Sequence, residues 1–169
     1  MDSKPLALTV ATALGEILSL QGLTLAVAES CTGGMLAAAL TAVAGSSRWF
    51  GYGFVTYSAA AKERLLGLDP HCLDSDHIVS ADTAMAMAMA ARTRASADLG
   101  IGVTGIAGPS GGTPRCPVGT VAIAWALGTQ VEAQTFHFTG DRGQVRAQAV
   151  VSALSGLEAR LAQGSFARP

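Results

Sequence analysis

The sequence predicts an α/β layered domain with a mixed sheet, on two observations. Strand-like apolar runs alternate with helical stretches through the first half of the chain, a pattern that builds parallel pairing through crossover helices. Two later strand-like runs are separated only by a short turn near Gly128-Thr129, which predicts an antiparallel hairpin.

The elements follow in order. Residues 3–21 read as a helix, with Leu6, Val10, Leu14, Ile17 and Leu18 on one stripe and Gly22 as its stop. The mostly apolar run from Leu23 predicts a buried strand over 23–28, and the Ala/Leu/Met-rich stretch after it predicts a helix from about 32 to 43. Gly45-Ser46-Ser47 breaks the chain before a strand at 50–57. Ala59 to Leu66 is a short helix ended by Gly67, and 67–79 is a loop containing Pro70. Ser80 caps a helix running to about Ala97. Met85 and Met89 share one face of it and Met87 lies opposite, so the helix is covered on two sides and its methionines are core filler. Leu99 to Thr104 alternates as a strand, with glycines that allow another backbone or a ligand to come close. A glycine- and proline-rich loop from Gly105 to Pro117 precedes hairpin strands at 118–127 and 130–138. The last helix starts near Asp141, carries Val150, Leu154, Leu157 and Leu161 on one face, and stops at Gly164, which leaves 165–169 as a frayed tail. The chain, 1–169, reads as one domain of ordinary size.

Composition excludes several classes. Half of the residues are hydrophobic and only 14% are charged, which supplies a sizeable core and excludes a disordered chain. No run is apolar for the length of a membrane span, and Met1-Asp2-Ser3-Lys4-Pro5 lacks a signal-peptide plan. A formal net charge of -1 leaves no electrostatic footprint for nucleic acid. Cys31, Cys72 and Cys116 are odd in number and widely spaced, which supports neither a zinc ribbon nor a disulfide framework and makes a reducing cytoplasm the expected location. His71, His77 and His137 are scattered, so no metal site is expected.

Four places could do chemistry. Ser30 lies at a strand-to-helix junction, where a nucleophilic hydroxyl and N–H donors for an oxyanion near Thr32 and Gly33 could share one turn. Serine is also an ordinary helix cap, and Cys31 is a competing nucleophile whose thiol a helix start could acidify. Tyr57 and Lys62 fall at the end of a strand and in the next helix, at the same sheet edge as Ser30 if the two strands are parallel neighbours. Burial would let Lys62 act as a base, with Tyr57 orienting the proton; the alternatives are a solvated lysine and an amphipathic strand end. The loop from Thr104 and Gly105 to Pro114 can present N–H groups to an anion or be structural, and it lacks the lysine of a nucleotide P-loop. Arg142, near a helix start, suits phosphate or carboxylate, although a lone arginine is most often a surface residue.

Taken jointly, these segments carry a resemblance. Ala-Glu-Ser-Cys-Thr-Gly-Gly at 28–34, Ala-Gly-Ser-Ser at 44–47, Val-Thr-Tyr-Ser at 55–58 with Lys62, Val-Thr-Gly-Ile-Ala-Gly-Pro at 103–109, Gly-Gly-Thr-Pro at 111–114, Pro-Val-Gly-Thr-Val at 117–121 and Gly-Asp-Arg at 140–142 occur in order. The chain resembles, from about residue 6 to 162, the CinA C-terminal domain family, the nicotinamide mononucleotide amidohydrolases, in a stand-alone form without the family's N-terminal domain. The resemblance implies a three-layer α/β/α fold and hydrolysis of the nucleotide's carboxamide to nicotinic acid mononucleotide and ammonia in pyridine nucleotide salvage, with no cofactor. It implies Ser30 as nucleophile, Lys62 as base, Tyr57 as supporting hydroxyl, and Ser47, Thr104 and Arg142 as substrate-site residues. With these go our own assignments to the substrate site, Thr32, Gly33 and Gly105. A homodimer is expected, from the resemblance and from apolar helices that one small domain does not fully cover.

The chain departs from the family pattern in three places. Ala59 and Ala60 stand where Asn and Glu are common, Ser110 where Asp is usual, and Cys116 where Lys is common. The second functional class is therefore a catalytically silent nucleotide-binding or interaction domain linked to competence or DNA repair.

Overall fold

The computed structural model describes residues 3–74 and 77–163, with residues 3–5 and 72 described by backbone alone. The expected helix stop at Gly164 and the 165–169 tail lie outside the described residues. The helices are α1 (Ser3–Gln21), α2 (Met35–Thr41), α3 (Ala59–Ala61), α4 (Ala81–Ala95) and α5 (Arg142–Ala162). The strands are β1 (Leu25–Glu29), β2 (Phe50–Val55), β3 (Leu99–Gly105), β4 (Thr120–Leu127) and β5 (Gln130–His137). They form one mixed sheet in the order β2-β1-β3-β4-β5. The strand β1 pairs parallel with β2 and with β3, while β4 runs antiparallel to both β3 and β5.

Alternation of large and small residues makes the three layers. On β1, β3 and β4 the large side chains Leu25, Val27, Leu99, Ile101, Val103, Ile123 and Trp125 point to one face and pack with α1, α2 and α5. The intervening positions are Ala26, Ala28, Gly100, Gly102, Ala122, Ala124 and Ala126, and α4 lies on that side. Small residues let this helix come unusually close. A Cβ on Gly102 would sit 2.2 Å from the Ala84 carbonyl oxygen, and one on Gly100 would sit 2.1 Å from that of Ala88. The glycines of β3 thus admit a backbone, not a ligand. Met87 is fully buried on α4, while Met85 and Met89 pack partly buried beside Val131 and Ala133, which is the two-sided cover expected.

Several boundaries differ from expectation, each for a local reason. The helix expected from about 32 begins at Met35, because Gly33 and Gly34 adopt φ of 58° and 94° and break the helical path. The stretch after Ser58 is helical to Ala61 and then widens into a π turn over Lys62–Leu66, closed by left-handed Gly67. Two residues earlier than expected, α4 ends as Ser96 takes a left-handed conformation. Leu6 is exposed, and the core side of α1 is carried instead by Ala11, Leu14 and Leu18.

If the close approach of α4 is what the glycines serve, Gly102→Ala should cost at least about 2 kcal/mol through overpacking. That corresponds to a fall in melting temperature of roughly 4–8 °C. A thermal melt within a degree of the parent would show that α4 shifts freely.

Candidate active site

Ser30 follows the last residue of β1, and its flanks are tied to both neighbouring strands. Its N–H donates to the Val103 carbonyl at 2.9 Å, and the Thr56 N–H donates to the Glu29 carbonyl at 2.7 Å. The hydroxyl is thereby held at the carboxyl end of parallel strands, where open α/β sheets bind ligands. Lys62 arrives from the other side of the sheet edge, at the join of α3 and the π turn. Its Nζ lies 2.9 Å from Ser30 Oγ and 2.9 Å from the Thr56 carbonyl oxygen. Lys62 is 1% exposed and forms no ion pair among the described residues.

This environment sets the proton balance. Burial pushes the Lys62 ammonium down from 10.5 to about 8, against a smaller opposing pull from Cys31. The same burial pushes the Cys31 thiol up to about 11, opposed in part by its own backbone, Lys62 and Arg146. Cys31 therefore keeps its proton through the range in which Lys62 loses its own, so no thiolate holds Lys62 charged at neutral pH. A neutral Lys62 can donate one N–H to the Thr56 carbonyl and accept the Ser30 hydroxyl proton on its lone pair. Cys31 packs into the apolar core as a neutral thiol, a poor nucleophile.

The turn after Ser30 is organised by Glu29. This fully buried carboxylate accepts the N–H groups of Gly34 and Leu36 on one oxygen, at 2.9 and 3.1 Å, and that of Ala37 on the other, at 2.8 Å. Capping of α2 thus belongs to Glu29, which leaves the Ser30 hydroxyl for Lys62. The Gly33 N–H donates to the Ser30 carbonyl at 3.0 Å, so the donor expectation shifts by one residue. The N–H groups of Cys31 and Thr32 are given to no oxygen among the described residues.

The remaining expected residues divide. Tyr57 and Arg142 come together, Arg142 Nη2 donating to the Tyr57 hydroxyl at 2.6 Å and Nη1 to the Gly108 carbonyl at 2.7 Å. Tyr57 is exposed, and its hydroxyl is engaged by this guanidinium, with no hydrogen bond to Lys62 or Ser30. Thr104 is buried at the end of β3, and its hydroxyl donates to the Ile78 carbonyl at 2.8 Å. Gly105 has a packing reason, since a Cβ there would lie 2.7 Å from Val121. Ser47 is not brought to the site within one chain. It sits in the turn Ser46–Arg48 before β2, at the amino end of a strand whose carboxyl end carries the site.

Glu29, Thr56 and Arg146 were not singled out from the sequence. Glu29 had a legible signal, an acidic residue just before a helix start. Arg146 lies one helical turn beyond Arg142 on the same face, which is also legible. Thr56 acts through its carbonyl, which no residue type announces. Elsewhere, an apolar groove of about 330 Å³ between α1, α2 and α5 is lined by alanines, Leu8, Met35 and Val150. Its lining contains no titratable group.

The model of the CinA C-terminal domain matches residues 7–161. The chain is 46% identical over 149 residues to the nicotinamide-nucleotide amidohydrolase PncC of Pseudomonas putida, covering 88% of this chain and 93% of that protein. It is 48% identical over 153 residues to a CinA-like protein of Geobacter sulfurreducens, covering 90% of this chain but spanning 37% of that relative. Among solved structures, a competence-damaged protein (CinA) superfamily protein from Escherichia coli superposes with a TM-score of 0.87 at 39% identity, covering 94% of this chain and 91% of the other. A superfamily protein from Klebsiella pneumoniae superposes with a TM-score of 0.89 at 39% identity, covering 96% and 99%.

The buried lysine generates a prediction. Because unfolding returns its pKa from about 8 to 10.5, the unfolded chain binds the extra proton between those values. Stability from this group should therefore rise with pH across that window, by about 3 kcal/mol in total, and stay at its low level below it. An NMR titration of the Lys62 side chain should show a midpoint near 8. A midpoint above 10 would mean that the ammonium is not desolvated.

Proposed function

The chain belongs to the CinA C-terminal domain family, and on that premise we propose that it hydrolyses the carboxamide of nicotinamide mononucleotide, giving nicotinic acid mononucleotide and ammonia in pyridine nucleotide salvage. The observation that carries this reading is the desolvated Lys62 amine 2.9 Å from Ser30 Oγ. A silent binding domain has no use for a lysine buried without a counter-charge, so the geometry favours the enzyme over the interaction reading.

In the proposed reaction, neutral Lys62 takes the Ser30 proton as Oγ attacks the carboxamide carbon. The C=O electron pair moves onto oxygen, where the Cys31 and Thr32 N–H groups are the proposed donors. As the tetrahedral species collapses, the C–N bond breaks and the Lys62 ammonium returns its proton to the leaving nitrogen, releasing ammonia. Water then attacks the acyl-Ser30 ester, giving a proton to neutral Lys62. Collapse of the second tetrahedral species breaks the ester bond, and Lys62 reprotonates Ser30 as the acid departs. Because Lys62 must start neutral, the rate should rise with pH through about 8 and then level off. Tyr57 and Arg142 form the rim, where Arg142 is proposed to meet the phosphate. Thr104 and Gly105 shape the floor through packing and a carbonyl contact.

An ammonia-release assay with nicotinamide mononucleotide tests the reading. Ser30→Ala should lose at least about 10³-fold in kcat with the fold kept, Cys31→Ala should keep most activity, and Lys62→Arg should fail as fully as Lys62→Ala. Arg142→Ala should lose more on the nucleotide than on the phosphate-free riboside. A dead Cys31 variant beside an active Ser30 variant would reverse the choice of nucleophile, and an active Lys62→Arg would remove lysine as base.

We also propose a homodimer formed along β2. This strand is at the sheet edge, carries exposed Tyr52 and Val55, and has no charged residue to guard it. Antiparallel pairing of two such edges would bring the partner's Ser46–Arg48 turn alongside Tyr57, giving Ser47 a route to the site. Light scattering at micromolar concentration should give the dimer mass. A monomer with full activity on dilution would sink the idea.

A further inference from the structure

Resting on the proposed role of Ser30, we infer that Arg146 is a positioning residue for the turn that receives the oxyanion. Its Nη2 donates to the Thr32 carbonyl at 2.8 Å, and a Cβ on Gly33 would lie 3.2 Å from that same nitrogen. The guanidinium therefore holds the turn from the α5 side, while Glu29 holds its following N–H groups from the sheet side. The N–H groups of Cys31 and Thr32 come immediately before these two clamps in the chain. The Thr32 carbonyl belongs to the Thr32–Gly33 peptide, which also accepts the Met35 N–H at 3.2 Å and gives its Gly33 N–H to the Ser30 carbonyl. Arg146 adds a charged donor to this peptide and so steadies the neighbouring one that carries the Thr32 N–H.

Two further observations separate this role from ordinary packing. Arg146 Nε and Thr32 Oγ1 are both buried without a hydrogen-bond partner among the described residues. Unsatisfied buried donors are costly, and because Arg92 Nε shares this condition, it is the tie to the Thr32 carbonyl that sets Arg146 apart. The positive charge of Arg146 also reaches the turn, as a smaller influence on the Cys31 thiol than Lys62, which acts the same way, and Glu29, which opposes it. A field that favours an anion beside Cys31 favours an oxyanion at the same place. Arg142, one turn earlier, points instead to Tyr57 and Gly108, so the two arginines divide between rim and turn.

The test uses two reactions of the full chain: ammonia release from nicotinamide mononucleotide, and the nitrophenolate burst as Ser30 is acylated by 4-nitrophenyl acetate. Arg146→Ala should lower kcat and the burst rate about 10²-fold while KM for the nucleotide stays within about threefold. Arg146→Lys should fall between the parent and the alanine variant, because it keeps the charge but not the planar fork. Added ethylguanidinium should restore part of the burst in the alanine variant. A rise in KM with kcat and burst preserved would overturn the inference, since Arg146 would then bind substrate. A loss that no guanidinium restores, together with a lowered melting temperature, would overturn it in favour of a structural role. If the parent shows a Ser30-dependent burst but releases no ammonia, the substrate reading falls and the burst series still decides on Arg146. A parent that shows neither a burst nor Ser30-dependent turnover of the ester would overturn both the nucleophile and the inference.

Discussion

A lysine amine enclosed by protein, with two hydrogen-bond partners and, among the described residues, no carboxylate partner, is the constraint on which the site depends. In water Lys62 would stay mostly protonated up to about pH 10, and a carboxylate would raise that limit. Removal from water pushes it down to about 8, where a useful fraction is neutral near physiological pH. The Thr56 carbonyl occupies one N–H and leaves the lone pair for Ser30. The π turn at Lys62–Leu66 and the capped start of α3 serve that geometry, and they persist although Ala59 and Ala60 replace the polar residues common in the family.

The turn after Ser30 meets a second demand under the proposed reaction, that its N–H groups remain available. A helix start is rich in free donors, and a substrate site beside one competes with whatever caps the helix. Glu29 resolves this by accepting three of those N–H groups from beneath, inside the core. What remains without an oxygen acceptor among the described residues is the short run of N–H groups at Cys31 and Thr32, and Arg146 donates to the carbonyl that follows it. The charges nearest Ser30 thus make separate contacts: Glu29 with the start of α2, Arg146 with the Thr32 carbonyl, Arg142 with Tyr57 and Gly108, and Lys62 with Ser30 itself.

The layers explain why this can be built rigidly. Large side chains on one face of β1, β3 and β4 and small ones on the other let α4 lie almost on the sheet while α1, α2 and α5 pack at ordinary distance. Trp125 anchors the thicker side, donating to the Ala153 carbonyl at 2.8 Å beneath the Arg160 guanidinium. A site held on strand ends between two such layers has little freedom to loosen.

The sequence alone determined the element order, the mixed sheet and the pairing of Ser30 with Lys62, because periodicity and turn residues are local and the parallel neighbours β1 and β2 follow each other in the chain. It determined the hairpin through Gly128-Thr129, and the two-sided cover of α4 through its methionines. Tertiary structure alone decided the rest. It assigned the glycines of β3 to a helix backbone, since only the packed layers bring Ala84 and Ala88 within reach. It set Ser47 at the far end of β2, because a crossover helix returns the chain to the start of the next parallel strand. It withdrew the Tyr57 and Thr104 hydroxyls into contacts with Arg142 and Ile78, and drew in Glu29, Thr56 and Arg146. Hydrogen bonds and burial between residues far apart in the chain leave no periodicity behind, and it is burial, not residue type, that lowers the Lys62 pKa to about 8.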